Sequence, residues 1–258
     1  MFKYAFKYYD LQDISVLDKI DIPKKAKTRD ELQAKRNNYL EDSEVKELLD
    51  CFDYLIKHKN HPSRKRNYNR VKAIVQFQIA NGMRIGELLA IKRENINYED
   101  KTLDIDGTIN WVTDKETGAF GVKETTKTNK SYRTIGLTIQ SINLLKTLIL
   151  DNKKENQWNE DFIDRGYIFT NTAGSPIDLN KINNIIKVAT DISSIKKRVT
   201  THTLRHTHIS TLAHLGINLK AIQERVGHSD YKTTLEIYTH VTDQMAKDMM
   251  NKLERVEN

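Results

Sequence analysis

The chain has 258 residues, with 42 Lys and Arg against 35 Asp and Glu, a net charge of +7, 38% hydrophobic and 30% charged residues. That length suits one or two domains with a sizeable core, and the apolar fraction is too high for wholesale disorder. Ten Gly and three Pro exclude collagen-like and Pro-rich linker architectures, and the single Cys51 cannot form an intramolecular disulfide or, with eight scattered His, a zinc-finger spacing.

No stretch reaches the ~18 to 20 apolar residues of a membrane span, and the start MFKYAFKYYDLQ lacks the apolar core of a signal peptide. A soluble protein of a reducing compartment is therefore expected, with no membrane partner. The sequence pI of about 9.2 suits a polyanionic partner, but the excess of +7 is mild and does not decide the matter.

In chain order, residues 1–20 are aromatic and apolar (Phe2, Tyr4, Phe6, Tyr8, Tyr9, then Leu11, Ile14, Leu17, Ile20) and read as the last helix of a preceding domain. Residues 21–38 are polar, mixed in charge and interrupted by Pro23, which marks a linker. A compact domain is expected from Tyr39 to the C-terminus. Its first helix has Asp42 or Ser43 as cap and Val45, Leu48, Leu49, Phe52 and Leu55 on one face. After a polar loop at 58–69, residues 70–81 carry Val71, Ile74, Val75 and Ile79 at helical spacing, and Gly82 is placed to cap the helix.

Between Lys101 and Leu137, Val, Ile and Thr alternate with polar residues, with turns at Asp106-Gly107, Thr117-Gly118 and Thr128-Asn129-Lys130; this pattern predicts an antiparallel β-meander. Helical spacing returns at Ile139–Asn156. A short strand at Tyr167-Ile168-Phe169 precedes a turn at 173–176, and everything beyond Asp178 is helical in pattern, with breaks at Gly216 and Gly227.

Five segments place phosphate-binding or proton-transferring groups at turns and helix starts. In Gly82-Met83-Arg84-Ile85-Gly86-Glu87-Leu88, two glycines flank Arg84, and Glu87 can pair with it or brace a nearby amide. The segment Thr126-Lys127-Thr128-Asn129-Lys130-Ser131-Tyr132-Arg133 forms a basic hairpin tip, where a lysine can reach a leaving group. Thr201-His202-Thr203-Leu204-Arg205-His206 opens a helix, capped by Thr201 or Thr203. The i, i+3 spacing of His202 and Arg205 puts both on one face near the positive end of the helix dipole. Val226-Gly227-His228-Ser229 sets an imidazole at a helix break, and Tyr238 follows ten residues later in Thr234-Leu235-Glu236-Ile237-Tyr238-Thr239-His240. Each segment alone has an ordinary structural explanation: a surface Arg at a cap, a solvated turn, simple capping or a core tyrosine. A metal site from His202 and His206 would need further ligands; no HExxH pattern is present and the one Cys is remote.

Taken in order, Arg84, Lys127, His202, Arg205, His228 and Tyr238 make the chain resemble the tyrosine recombinases, the phage-integrase family, over roughly Tyr39 to the C-terminus. Lys123 and Lys130 compete with Lys127, which is favoured because it immediately precedes the turn. The His228–Tyr238 interval is one residue longer than in some members, and Gly136 stands where the family often has Pro. The resemblance implies an α+β fold: a mainly helical catalytic domain with a small antiparallel sheet or hairpin on one side. Residues 1–38 would then be a remnant of the core-binding domain and its linker, and 39–258 the catalytic domain.

The implied activity is site-specific cleavage and rejoining of DNA through a 3′-phosphotyrosyl intermediate, integrating or excising a phage or mobile element. Tyr238 would attack the phosphorus. A phenol ionises only near pH ~10, so cationic neighbours or a base must assist. Arg84 and Arg205 would hold the non-bridging oxygens with paired donors that stay charged. Lys127 would protonate the leaving 5′-oxygen, His202 would assist proton transfer at the tyrosine, and His228 would donate to a phosphoryl oxygen. The two arginines supply the charge that metals supply elsewhere, so no metal and no cofactor is expected. The implied partner is a double-stranded recombination site, bound by a homotetramer on two duplexes, with a monomer in the absence of DNA as the alternative. The expected location is cytoplasmic and nucleoid-associated. Val241, Met245, Met249 or Met250 and Leu253 form an amphipathic stripe that packs either on the parent domain or on a neighbouring subunit. Other readings are a topoisomerase IB-like relaxing enzyme, a catalytically inert DNA-binding regulator that keeps the fold, and, ranked last, a metal-dependent phosphoesterase.

Overall fold

The computed structural model describes residues 38–115, 118–125, 132–227 and 231–257. Helix α1 (Asp42–Lys57) buries Leu48, Phe52 and Leu55. Its N-cap is Glu41, one residue before the expected Asp42 and two before Ser43. The Glu44 carboxylate reaches back to the Glu41 amide at 2.8 Å, and the Leu40 amide donates to Thr207 Oγ1 at 2.9 Å, so a distant contact fixes where the helix begins.

Helix α2 (Pro62–Asn81) starts two turns before the apolar periodicity does. Pro62 fits the first turn, where no amide is needed, and the polar residues that read as a loop are the helix's exposed opening. The helix ends as expected at Gly82, left-handed at φ 72, whose amide donates to Gln78 O at 2.7 Å. The five-residue α3 (Ile85–Leu89) and a 3₁₀ turn (Arg93–Asn95) follow directly.

The β region is antiparallel but is not a meander. Strands β1 (Ile96–Asn97), β2 (Thr102–Ile105) and β5 (Arg133–Gly136) form one sheet in the order β1-β2-β5. Strands β3 (Gly107–Thr113) and β4 (Phe120–Thr125) form a separate hairpin. Strand β2 pairs across the excursion, Leu103 facing Ile135 and Ile105 facing Arg133, because this register turns Leu103, Ile105 and Ile135 into the core together. The expected strand at 167–169 is reduced to isolated bridges, Lys92 to Tyr167 and Thr170 to Pro176.

Thr138 caps α4 (Ile139–Trp158), Asp178 caps α5 (Leu179–Asp191) and Asn218 caps α7 (Leu219–Val226), each through its side-chain oxygen. Between α5 and α6 (Thr201–His214), residues 192–200 are not helical, a break the pattern beyond Asp178 did not mark. The N-cap of α6 is Thr200, whose amide donates to Thr203 Oγ1 at 3.2 Å; Thr203 thus serves the cap without being it. Helix α8 (Tyr231–Glu257) closes the chain. No helix among the described residues is long and apolar enough to cross a membrane.

The larger core surrounds α2, where Ile74, Val75 and Phe77 meet Phe52, Leu88, Leu145 and Phe169. Each such side chain taken from water contributes about 2 kcal/mol. A buried polar knot lies beside it: Asn152 accepts from Arg70 Nη2 at 2.8 Å and Thr170 Oγ1 at 3.0 Å, and donates to the carbonyls of Tyr167 and Ile168. A second cluster, built from Tyr39, Ile209, Ala213, Ile222, Val226, Ile237 and Val241, joins α6, α7 and α8.

Candidate active site

The left-handed turn at Gly82 drives Met83 fully into the core, where its carbonyl accepts from Gln78 Nε2 at 3.2 Å, and so turns Arg84 outward as the N-cap of α3. Three residues on, Glu87 is 6% exposed yet serves two guanidiniums. Its carboxylate accepts from the Arg84 amide and from Arg84 Nη1, both at 3.0 Å. It also accepts from Arg133 Nη2 at 2.7 Å and Nη1 at 3.2 Å. Burial by itself raises this carboxyl, but the hydrogen bonds and charge of Arg133, followed by those of Arg84, outweigh it and hold Glu87 below the usual carboxylate range. Two cations around one anion leave the turn positive.

Helix α6 meets this turn from the other side. Arg205 is 2% exposed and its Nη1 donates to the Gly82 carbonyl at 2.8 Å. One turn later, His208 lies against Gly82 itself: a side chain at that glycine would run into the imidazole. The Ile79 carbonyl can only accept, so His208 Nδ1 carries the proton at 2.9 Å, and Nε2 accepts from Arg225 Nε at 3.2 Å. Burial first, then the charge of Arg225, push this imidazole down to about 3, so it is neutral at physiological pH. Arg205 and His208 are i, i+3 and both face inward. His202, expected on the same face as Arg205, is exposed, although its neighbours Thr201, Thr203 and Leu204 in the first turn of α6 are buried.

A third contact brings in the end of α7. Arg133 Nε donates to the Arg225 carbonyl at 2.9 Å. Gly227 caps α7 at φ 97, and a Cβ there would lie 3.2 Å from Arg133 Nη1 and 3.4 Å from Arg84 Nη1. The residue preceding His228 is thus packed against Arg84. His228 and Lys127 themselves lie outside the described residues. Of the competing lysines, Lys130 is outside them too, whereas Lys123 is committed within the sheet, its Nζ 2.7 Å from Asp106 and 3.1 Å from Asn95 Oδ1.

Tyr238 is half-buried on α8 against the second cluster. Ile209 and Ala213 come there from α6, and Ile222 and Val226 from α7, so the helices that carry Arg205 and Gly227 also seat the helix of the tyrosine. The structure therefore gathers Arg84, Arg205 and the residue before His228 at one turn, places Tyr238 on the same pair of helices and leaves His202 exposed. Sequence reasoning missed His208 and Arg225, and it noticed Arg133 only as part of the hairpin. A repeated His at i+3 after Arg205 was the one signal for His208.

The chain matches the family model described as the phage integrase family over residues 38–245. It is 42% identical to the integrase of Staphylococcus phage L54a over 98% of the chain and 71% of that protein. To the prophage ps2 probable integrase of Lactococcus lactis strain IL1403 it is 38% identical over 91% of the chain, spanning 59% of that relative's length. In fold it is similar to the Tn1549 transposon integrase in complex with transposon right end DNA (TM-score 0.61, 21% identity, 94% of this chain and 71% of that one). It is also similar to the XerA recombinase (TM-score 0.57, 22% identity, 96% of this chain and 70% of that one). A family match over most of the sequence, with a relative 42% identical along nearly all of it, places this protein in the phage integrase family, the tyrosine recombinases of site-specific recombination.

Proposed function

We propose that this chain cuts and rejoins duplex DNA at a specific site, with Tyr238 as nucleophile. The observation that carries the reading is the convergence on one turn: Arg205 donates to Gly82 O at 2.8 Å, and Arg84 two residues on faces Gly227, next to His228. The phenolic oxygen attacks phosphorus and the P–O5′ bond breaks. The phenol's proton leaves with help from His202, and Lys127 gives a proton to the departing 5′-oxygen. Arg84, Arg205 and His228 hold the non-bridging oxygens as charge gathers there. The phosphotyrosyl bond keeps the energy of the phosphodiester, so a second 5′-hydroxyl can reverse the attack and exchange strands.

The working partner in this reading is a double-stranded recombination site in the cytoplasmic nucleoid, held by a homotetramer on two duplexes. Residues 1–38, most of which lie outside the described residues, form the remnant of the core-binding domain and linker, and 39–258 the catalytic domain. The C-terminal stripe supports an assembly role once Val241 is set aside: Val241 is buried in the second cluster, whereas Met245, Met249, Met250 and Leu253 are exposed. A chain ending at Thr242 keeps the core residue and removes the rest. Its complexes on DNA should be smaller on sizing than those of the full chain, and equal sizes would remove the assembly role.

Covalent capture tests the chemistry. The protein is incubated without added metal with nicked duplexes of randomised sequence, and the sequences trapped as adducts resistant to detergent are recovered. The expected result is an adduct that Tyr238→Phe abolishes. An adduct formed equally by Tyr238→Phe removes the tyrosine assignment. Sequence-selective binding with no adduct would instead favour the inert regulator.

A further inference from the structure

Two arginines outside the proposed phosphate-holding set reach across the same joint in opposite directions. From β5, Arg133 donates through Nε to the carbonyl of Arg225 at the end of α7, at 2.9 Å. From α7, Arg225 donates through Nη1 to the carbonyl of Gly136 at the end of β5, at 3.2 Å. Each arginine also anchors deeper: Arg133 on both oxygens of Glu87, and Arg225 on His208 Nε2 at 3.2 Å and Asn81 Oδ1 at 3.4 Å. Arg133 is 10% exposed at the side chain. The two partners lie 92 residues apart in sequence, so the joint is a feature of the fold and not of a local turn.

What the joint connects gives it its interest. Strand β5 begins at Arg133, six residues after Lys127, and α7 ends at Val226, immediately before Gly227 and two residues before His228. Gly227 suits the contact, since its φ of 97 strains any residue with a side chain and a Cβ there would press on the Arg133 guanidinium at 3.2 Å.

We propose that Arg133 and Arg225 are positioning residues, a reciprocal clasp that sets the strand leaving the Lys127 segment and the turn entering His228 in fixed register for strand cleavage. The catalytic part rests on the roles proposed above for Lys127 and His228; the mechanical part does not. Lysine cannot replace either arginine, because one ammonium cannot make directed bonds to a carbonyl and a carboxylate, or to a carbonyl and an imidazole, at these separate points.

The mechanical part is read by hydrogen exchange on the full chain. Arg225→Lys, which keeps charge and approximate length, should raise exchange at residues 133–137 as well as within α7, and Arg133→Lys should raise it at 219–227 as well as in β5. Exchange that rises only on the substituted element overturns the clasp. The catalytic part is read on a captured nicked duplex, with folding checked by thermal melting. Each variant should cleave about 10²-fold more slowly at saturating DNA, with affinity within about threefold of the parent. The same duplex with sulfur in place of the bridging 5′-oxygen needs no proton on leaving: the P–S bond breaks and a thiolate departs. It should recover most of the loss in Arg133→Lys, as it should in Lys127→Ala. Recovery in Lys127→Ala but not in Arg133→Lys overturns the positioning of Lys127. Absence of recovery in Lys127→Ala points to the lysine's proposed role as the failure, and the exchange result then decides the clasp alone.

Discussion

The ring of His208 fills the space above Gly82 in which a side chain would begin. Gly82 is also left-handed, at φ 72. Gly82→Ala therefore meets both backbone strain and a packed imidazole, at a combined cost of about 3 kcal/mol. The expected result is a melting midpoint lower by about 10 °C, with strand cleavage falling further than DNA affinity because Arg84 leaves the same turn. A midpoint within two degrees of the parent, read by calorimetry, would mean that the ring and the turn separate easily.

His208 also sets a pH dependence. Burial and the neighbouring Arg225 hold it at about 3 in the folded chain, against an ordinary value of 6.5. The unfolded chain thus takes up a proton that the folded chain refuses. The stability associated with the neutral ring is complete above pH 6.5 and is lost as the pH falls from there towards 3, with a slope of up to about 1.4 kcal/mol per pH unit. Denaturant titrations of His208→Gln should give a shallower slope in that window than the parent, by close to one proton. Identical slopes would show that the ring is protonated in the fold.

Glu87 is the anion on which Arg84 and Arg133 meet, and it is buried. Glu87→Gln leaves two guanidiniums facing an amide, at a cost of about 3 kcal/mol. The carboxyl is held below its usual range, so its contribution persists above pH 4.5 and fades only as the pH drops beneath that. The variant should accordingly lose stability at neutral pH and lose less than the parent on further acidification. Equal stability of the two at pH 7 would count against the ion pairs as a source of stability.

Arg84 and Arg205 are expected to part company in their secondary effects. The Arg84 side chain is 34% exposed, whereas Arg205 is 2% exposed and supports the Gly82 carbonyl. Arg84→Ala should melt near the parent and cleave at least about 10²-fold more slowly with DNA binding largely kept. Arg205→Ala should show the same loss of cleavage and a lower midpoint as well. Equal losses in cleavage and in binding, measured by gel shift, would reduce both arginines to binding residues.

Much of this was legible where chemistry is local. The Gly82 cap, helix α4 and the Arg84 turn all follow from spacing and from what glycine permits. The start of α2 at Pro62 was hidden because its opening turns bury little and so carry no apolar rhythm. The cap at Glu41 was hidden because a longer side chain, Glu44, reaches back to it. The pairing of β2 with β5 and the inward turn of His208 depend on partners far along the chain, which no local pattern encodes. The exposure of His202 beside the buried Arg205 was not legible, because helical spacing relates the two side chains to each other and not to the solvent.

The bond from Arg205 to Gly82 spans 123 residues. During synthesis Arg84 leaves the ribosome long before Arg205, the residue of α6 that supports the Gly82 carbonyl of its turn. A nascent chain that has not yet reached Arg205 therefore lacks the bond that ties α6 to this turn. The docking of α6 onto the Gly82 turn is thus a long-range step that waits on residues made well after Arg84.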